Sequence, residues 1–181
     1  PIHYLTELLS NILKTPLDEG SEYFLPTSIQ IPTIDVGNPA SNVIPEYAKA
    51  SINIRFNDQH TAESLIEWLE EKIKSIFSKN KNVSCKFSYE INGRSFLNKP
   101  GKLSEIMAKS ISQATGRNKQ PELATDGGTS DARFIKDYCE VAELGIRNQT
   151  LHQIDEFVYL KDLEVLEKIY LQILENYFIK N

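Results

Sequence analysis

The chain lacks any apolar run approaching the roughly 18 residues that a membrane-spanning helix needs, and no charged-then-apolar leader opens it. A soluble, cytoplasmic protein with no membrane partner is the expectation. It also lacks a basic cluster: 20 Lys and Arg stand against 25 Asp and Glu, for a net charge of -5. The electrostatic footprint of a nucleic-acid binder is therefore missing. Cysteine is scarce. The 2 cysteines, Cys85 and Cys139, fall far apart in predicted strands, which favours structural thiols in a reduced compartment over a disulfide. They form no Cys-x-x-Cys, and His3 and His60 have no metal-spaced partner. A catalytic zinc takes about three protein ligands and an open position, and a two-metal site takes more. The chain by itself falls short of that set. An initiator methionine is lacking too: Pro1-Ile2-His3 begins at the lip of a helix, as expected of a truncated or proteolysed product.

What is present reads as two regions, and 181 residues suffice for one good core or two small ones. Ile2, Leu5, Leu8, Leu9, Ile12 and Leu13 form a helical stripe ending near Thr15-Pro16. An extended stretch follows over residues 27–37. Its apolar phase shifts at Pro32, with Ile29 and Ile31 pointing one way and Ile34 and Val36 the other, which suggests a bulge or an edge position. After a turn at residues 38–42, Ala48, Ala50, Ile52, Ile54 and Phe56 alternate with polar residues as a half-buried strand. Thr61 caps a second helix with a stripe of Leu65, Ile66, Leu69, Ile73, Ile76 and Phe77. Val83, Cys85, Phe87, Tyr89 and Ile91 alternate as a third strand. The order α-β-β-α-β is that of a ferredoxin-like βαββαβ unit missing its first strand, an α+β fold. That strand is expected just upstream of Pro1. Residues 1–92 make this first domain and residues 93–181 a second. The second has a helix from Lys102 to Ala114 stopped by Gly116, a short strand from Cys139 to Leu144, and a final amphipathic helix. Its stripe of Leu163, Leu166, Ile169, Tyr170, Ile173, Leu174, Tyr177 and Phe178 is expected in the core.

Residues 124–152 carry the candidate chemistry. Gly127-Gly128 lets the backbone approach a ligand or take φ > 0, and Thr129, Ser130 and Asp131 follow at once with short hydrogen-bonding side chains. This is a ligand-cradling turn leading into a helix. Asn148 and His152 fall on the loop that leaves the Cys139–Leu144 strand, where open α/β sheets place ligands. His152 is the first candidate for chemistry; an ordinary Gly-Gly loop and a surface histidine are the plain alternatives.

The block as a whole, Gly127 to Phe134 followed by Glu143-Leu144-Gly145 and Asn148-Gln149-Thr150-Leu151-His152-x-x-Asp155-Glu156, resembles the C-terminal signature of the succinyl-diaminopimelate desuccinylases. These belong to the dinuclear zinc peptidase and deacylase group, with acetylornithine deacetylase and the carboxypeptidase G type enzymes. Pro26 to Ile31, Ser41 to Pro45, and Asn53 to Phe56 recur in that family in the same order. The resemblance implies a lid domain at Pro1 to about Ile91, through which two subunits form a homodimer. It implies that the remainder is the C-terminal part of an α/β zinc-hydrolase domain. By resemblance, His152 is a terminal metal ligand in a site holding two zinc ions in the full-length enzyme, with cobalt an alternative metal. The other ligands and the glutamate base lie in the N-terminal half, so no catalytic residue is expected here. Substrate-binding roles pass to Gly128 and Thr129 in the cradle, to Asn148 beside the metal, and to Asn42 and Arg55 reaching in from the lid. Arg55 also reads plainly as a solvent-facing strand residue, and Asn42 as part of a turn. Asp126 stands where the family often has glycine. The implied reaction is hydrolysis of N-succinyl-LL-2,6-diaminopimelate, a small-molecule N-succinyl amino acid, in lysine and diaminopimelate biosynthesis. An acetylornithine deacetylase-like deacylase and a non-catalytic dimerisation module are the alternatives.

Overall fold

The computed structural model describes residues 1–78, 82–125, 130–147 and 149–179, and the chain divides into two units, Pro1–Phe96 and Leu97–Asn181. In the first unit the elements run α1 (Ile2–Leu13), β1 (Ser28–Asp35), β2 (Lys49–Arg55) and α2 (Ala62–Phe77). Helical spacing of the apolar residues buries Leu8, Leu9 and Ile12 of α1, and Leu65, Leu69 and Ile76 of α2. Leu8, Ile12, Leu69 and Ile76 form the centre of the core, and Ile29, Ile52 and Ile54 of the sheet pack against it with Trp68, Ile73 and Phe87. Both helices therefore cover one sheet face. Thr61 begins α2 as expected: its hydroxyl accepts from Ser64 N–H, and Ser64 Oγ accepts from Thr61 N–H, both at 3.1 Å.

The sheet is a two-stranded antiparallel pair. Gln30 pairs with Asn53 and Thr33 with Ser51, so Ile31 and Pro32 together oppose Ile52. This is the bulge anticipated at Pro32, a residue with no N–H to give a ladder. Its effect on the faces differs from the expectation. Cross-strand partners share a face, so Ile34, opposite Ala50, returns to the side of Ile29, Ile52 and Ile54 rather than pointing away. The other face carries Gln30, Thr33, Asp35, Ser51, Asn53 and Arg55, all exposed.

The third strand expected at Val83 to Ile91 does not form. Phe87 reaches the core, while Cys85, Tyr89 and Ile91 stay exposed. Alternation selects a face, but a strand exists only where a neighbour takes its N–H and C=O groups, and β1 and β2 pair with each other alone. A polar knot instead ties the loops together. Asp18 lies between α1 and β1, with its side chain 4% exposed. It accepts from Gly20 N–H at 2.8 Å, Thr27 N–H at 3.1 Å and the buried Asn57 amide at 2.6 Å, and its other oxygen lies 2.9 Å from His60 Nε2.

The second unit contains α3 (Lys102–Thr115), α4 (Ala132–Ile135) and α5 (Leu160–Phe178). Gly116 ends α3 in the left-handed region at φ 66°, as the sequence predicts. At its other end Gly101 has no side chain to cap the helix, and Glu140 Oε2 accepts from Leu103 N–H at 3.0 Å instead. α3 and α5 pack through a polar contact: the buried Asn176 amide donates to Ser110 Oγ and Gln113 Oε1, both at 2.9 Å. The expected core stripe of α5 is corrected. Ile169 is buried and Leu166 and Ile173 are half-buried, but Leu163, Tyr170, Leu174, Tyr177 and Phe178 are exposed. That stripe wraps wider than one partner helix covers. The strand expected from Cys139 to Leu144 is likewise absent. Side chains take its carbonyls: Asn98 donates to Val141 O at 3.1 Å and Tyr170 Oη to Leu144 O at 2.6 Å. Cys85 and Cys139 are both free thiols on exposed residues.

Candidate functional site

The loop before α5 concentrates what the described residues offer to chemistry. Thr150 Oγ1 donates to Phe157 O at 2.7 Å and accepts from Phe157 N–H at 3.1 Å, closing the segment between them. Gln153 N–H donates to Thr150 O at 3.0 Å, and His152 N–H to Glu156 Oε2 at 3.3 Å. Inside this clasp His152 and Asp155 both sit at φ 60°. Left-handed backbone costs a residue with a Cβ on the order of 1–2 kcal/mol, and His and Asp are among the types that tolerate it. Local hydrogen bonds offset that cost here. His152 is exposed, and no described residue bonds its imidazole, so the ring is free to serve as a ligand. Thr150, Leu151 and Glu156 of this loop, with Ile146, Arg147, Phe157 and Val158, wall an open cleft of about 270 Å³.

The cradle is described only from its C-terminal side. Gly128 and Thr129, and also Asn148, lie outside the described residues. Ser130 Oγ accepts from Ala132 N–H at 2.9 Å and donates to Glu143, so this hydroxyl is committed to starting α4. In the first unit Arg55 ends β2 opposite Ser28, on the exposed face away from the helices. Asn42 is exposed in a turn that Asn38 staples, its amide donating to Val43 O at 2.7 Å. Both plain readings, the strand residue and the turn, are thus realised in the local structure.

Among the described residues no group of three or more His, Cys, Asp or Glu side chains could hold a metal ion. His152 fits a single terminal ligand position, as an exposed imidazole on a fixed loop. Within the described loop Glu156 turns one oxygen onto the backbone and no second imidazole accompanies His152. Arg147, which sequence reasoning did not single out, lines the cleft. Its signal was a lone cation in an otherwise uncharged run, Leu144 to Leu151.

Residues 1–81 match the family model described as a peptidase dimerisation domain. The chain is 48% identical over 178 residues to the succinyl-diaminopimelate desuccinylase of Paracoccus denitrificans, an alignment covering 98% of this chain and 46% of that protein. This chain is homologous to the succinyl-diaminopimelate desuccinylases. The desuccinylase of Cereibacter sphaeroides is 43% identical over the same shares, and that of Rhodospirillum rubrum is 44% identical, with 98% of this chain and 45% of that protein covered. The chain spans about half the length of the curated desuccinylases it matches. The homology runs through both units, so the His152 loop and the β1–β2 hairpin belong to one desuccinylase-like sequence. Among the described residues no helix is long and apolar enough to cross a membrane.

Proposed function

We propose that this chain is the lid and C-terminal segment of a zinc-dependent amide hydrolase. The enzyme adds water to N-succinyl-LL-2,6-diaminopimelate and releases succinate and LL-2,6-diaminopimelate, a cytoplasmic step of lysine and diaminopimelate synthesis. The observation that carries this reading is 48% identity to a desuccinylase across 98% of the chain, the His152 loop included. In this reading residues 1–92 form a ferredoxin-like dimerisation lid and residues 93–181 belong to the catalytic domain. His152 is one metal ligand, zinc being the first metal and cobalt a substitute. Bound there, the metal would polarise the amide carbonyl and activate water. This chain's own task is recognition. Arg55 and Asn42 on the lid, with Gly128, Thr129 and Asn148, donate hydrogen bonds to the substrate carboxylates and to the oxygen that gains charge.

The complete product of the gene tests this. Its reading frame is expected to be about twice this length, in proportion to the relatives. Loaded with zinc, that product should hydrolyse the N-succinyl substrate in preference to N-acetylornithine. A frame of 181 codons, or preference for the acetyl substrate, overturns the assignment.

A narrower reading concerns the 181-residue polypeptide, favoured by the match of residues 1–81 to a dimerisation domain: a dimerisation module without turnover. The purified polypeptide is expected to show no deacylase activity with added zinc, and measurable zinc-dependent succinate release would sink that expectation. The match of residues 1–81 to a dimerisation domain, and the single partner that each strand has, support a two-fold dimer formed through the first unit. Light scattering at high concentration should give twice the 20.6 kDa chain mass; a monomer counts against the lid assignment.

A further inference from the structure

We propose that Thr150 is a positioning residue that holds the His152 imidazole in place through its hydroxyl, and that the left-handed turn at His152 depends on this clasp. The proposal rests on the reading of His152 as a metal ligand and adds the group that sets its direction. Thr150 Oγ1 both donates to Phe157 O and accepts from Phe157 N–H, at 2.7 and 3.1 Å. Only a hydroxyl can give and take at one site in this way. The Thr150 carbonyl also accepts from Gln153 N–H at 3.0 Å, so one residue anchors the loop through main chain and side chain together. Between the two anchor points the chain passes through φ 60° twice, at His152 and at Asp155. Neither residue is a glycine. A backbone in this state relaxes toward negative φ when its ties are cut, and each such change swings the attached Cβ to a new direction. The ring of His152 is exposed and hydrogen-bonded by no described residue, so no hydrogen bond of its own resists that swing. Its direction is therefore inherited from the clasp, as a ligating histidine elsewhere inherits it from a bonded second nitrogen.

Two variants and two measurements test this. In the 181-residue chain, Thr150→Val keeps the shape and removes the hydroxyl, and Thr150→Ser restores it without the methyl. Hydrogen exchange at the Phe157 amide and the NMR signals of the His152 ring are followed in each, with far-UV circular dichroism checking that the helices remain. Thr150→Val should lose at least about tenfold of the Phe157 protection and broaden or shift the ring signals, and Thr150→Ser should retain both. In the complete gene product, Thr150→Val should weaken zinc binding by about 10–100-fold in chelator competition, the range for groups that orient metal ligands. Unchanged Phe157 protection or unchanged ring signals in Thr150→Val overturns the proposal. So does unchanged zinc affinity in Thr150→Val where His152→Ala loses it. If His152→Ala itself leaves zinc affinity unchanged, the metal-ligand reading fails, whatever the exchange at Phe157 shows.

Discussion

Asp18→Ala lowers the stability of the Pro1–Phe96 unit by about 3 kcal/mol, and its unfolding midpoint by on the order of 15 °C. The substitution removes the acceptor of a donor set centred on the buried Asn57. The amide of Asn57, itself 2% exposed, and the N–H groups of Gly20 and Thr27 all converge on this carboxylate. When it is removed, the buried Asn57 amide keeps only Leu25 O, at 3.2 Å, and the half-buried Gly20 and Thr27 N–H groups lose their acceptor. The knot also reaches beyond the two loops, because Ser95 Oγ donates to Asn57 O at 3.1 Å and so fastens the end of the unit. Burial by itself would push the Asp18 carboxyl up. The Thr27 hydroxyl, the Gly20 and Thr27 N–H groups and the Asn57 amide outweigh burial and hold it well below the ordinary carboxylate range. The sign of the pH dependence follows. The unfolded chain takes up this proton near pH 4 while the folded chain still refuses it, so acidification favours unfolding. The contribution is complete above that pH and is lost as pH falls through the lower folded value. Urea unfolding followed by Trp68, the one tryptophan of the chain, should show wild-type stability dropping more steeply than that of Asp18→Ala below about pH 5. Parallel pH profiles for the two proteins would rule out this account of the knot.

If His152 is a metal ligand as proposed, His152→Ala in the complete gene product is expected to cut kcat/KM by at least about 10³-fold while leaving the circular dichroism unchanged. A metal that polarises a carbonyl supplies several kcal/mol of transition-state stabilisation, and each 1.36 kcal/mol is a factor of ten. His152 is exposed and packs in no core, so its removal costs little fold stability and the loss falls on chemistry. Zinc content by atomic emission should drop with turnover. Turnover within tenfold of wild type would remove His152 from the ligand set and return it to the surface histidines.

The elements that depend on local pattern were legible in the sequence. The α1 and α2 stripes, the Thr61 cap and the Gly116 stop each follow from residues within one or two helical turns, and all lie where periodicity put them. Elements that need a distant partner were not. Residues 83–91 alternate as cleanly as β2 does, yet a ladder requires a neighbour and the sequence does not say whether one is at hand. Asp18 and Asn57 stand 39 positions apart and read as ordinary loop residues; only folding brings them to 2.6 Å. At the candidate site, the spacing of the motif marked His152, but the Thr150 hydroxyl bonds seven residues ahead, a reach with no periodic signature. The α5 stripe was over-read because hydropathy records which residues are apolar and not how many neighbours are present to cover them.

The bulge at Ile31 and Pro32 has a consequence for how this hairpin can change over generations. In a regular strand, gaining or losing one residue turns every later side chain to the opposite face and buries what should be wet. Here Ile29 and Ile34 already share a face across an odd interval, with the surplus residue absorbed opposite Ile52. Loss of the Pro32 codon would leave Ile29, Ile31 and the shifted Ile34 in plain alternation on that same face. The hairpin is thus a place where the gene can shed a codon, and a relative without it can acquire one, while the apolar side of the sheet stays turned to the helices.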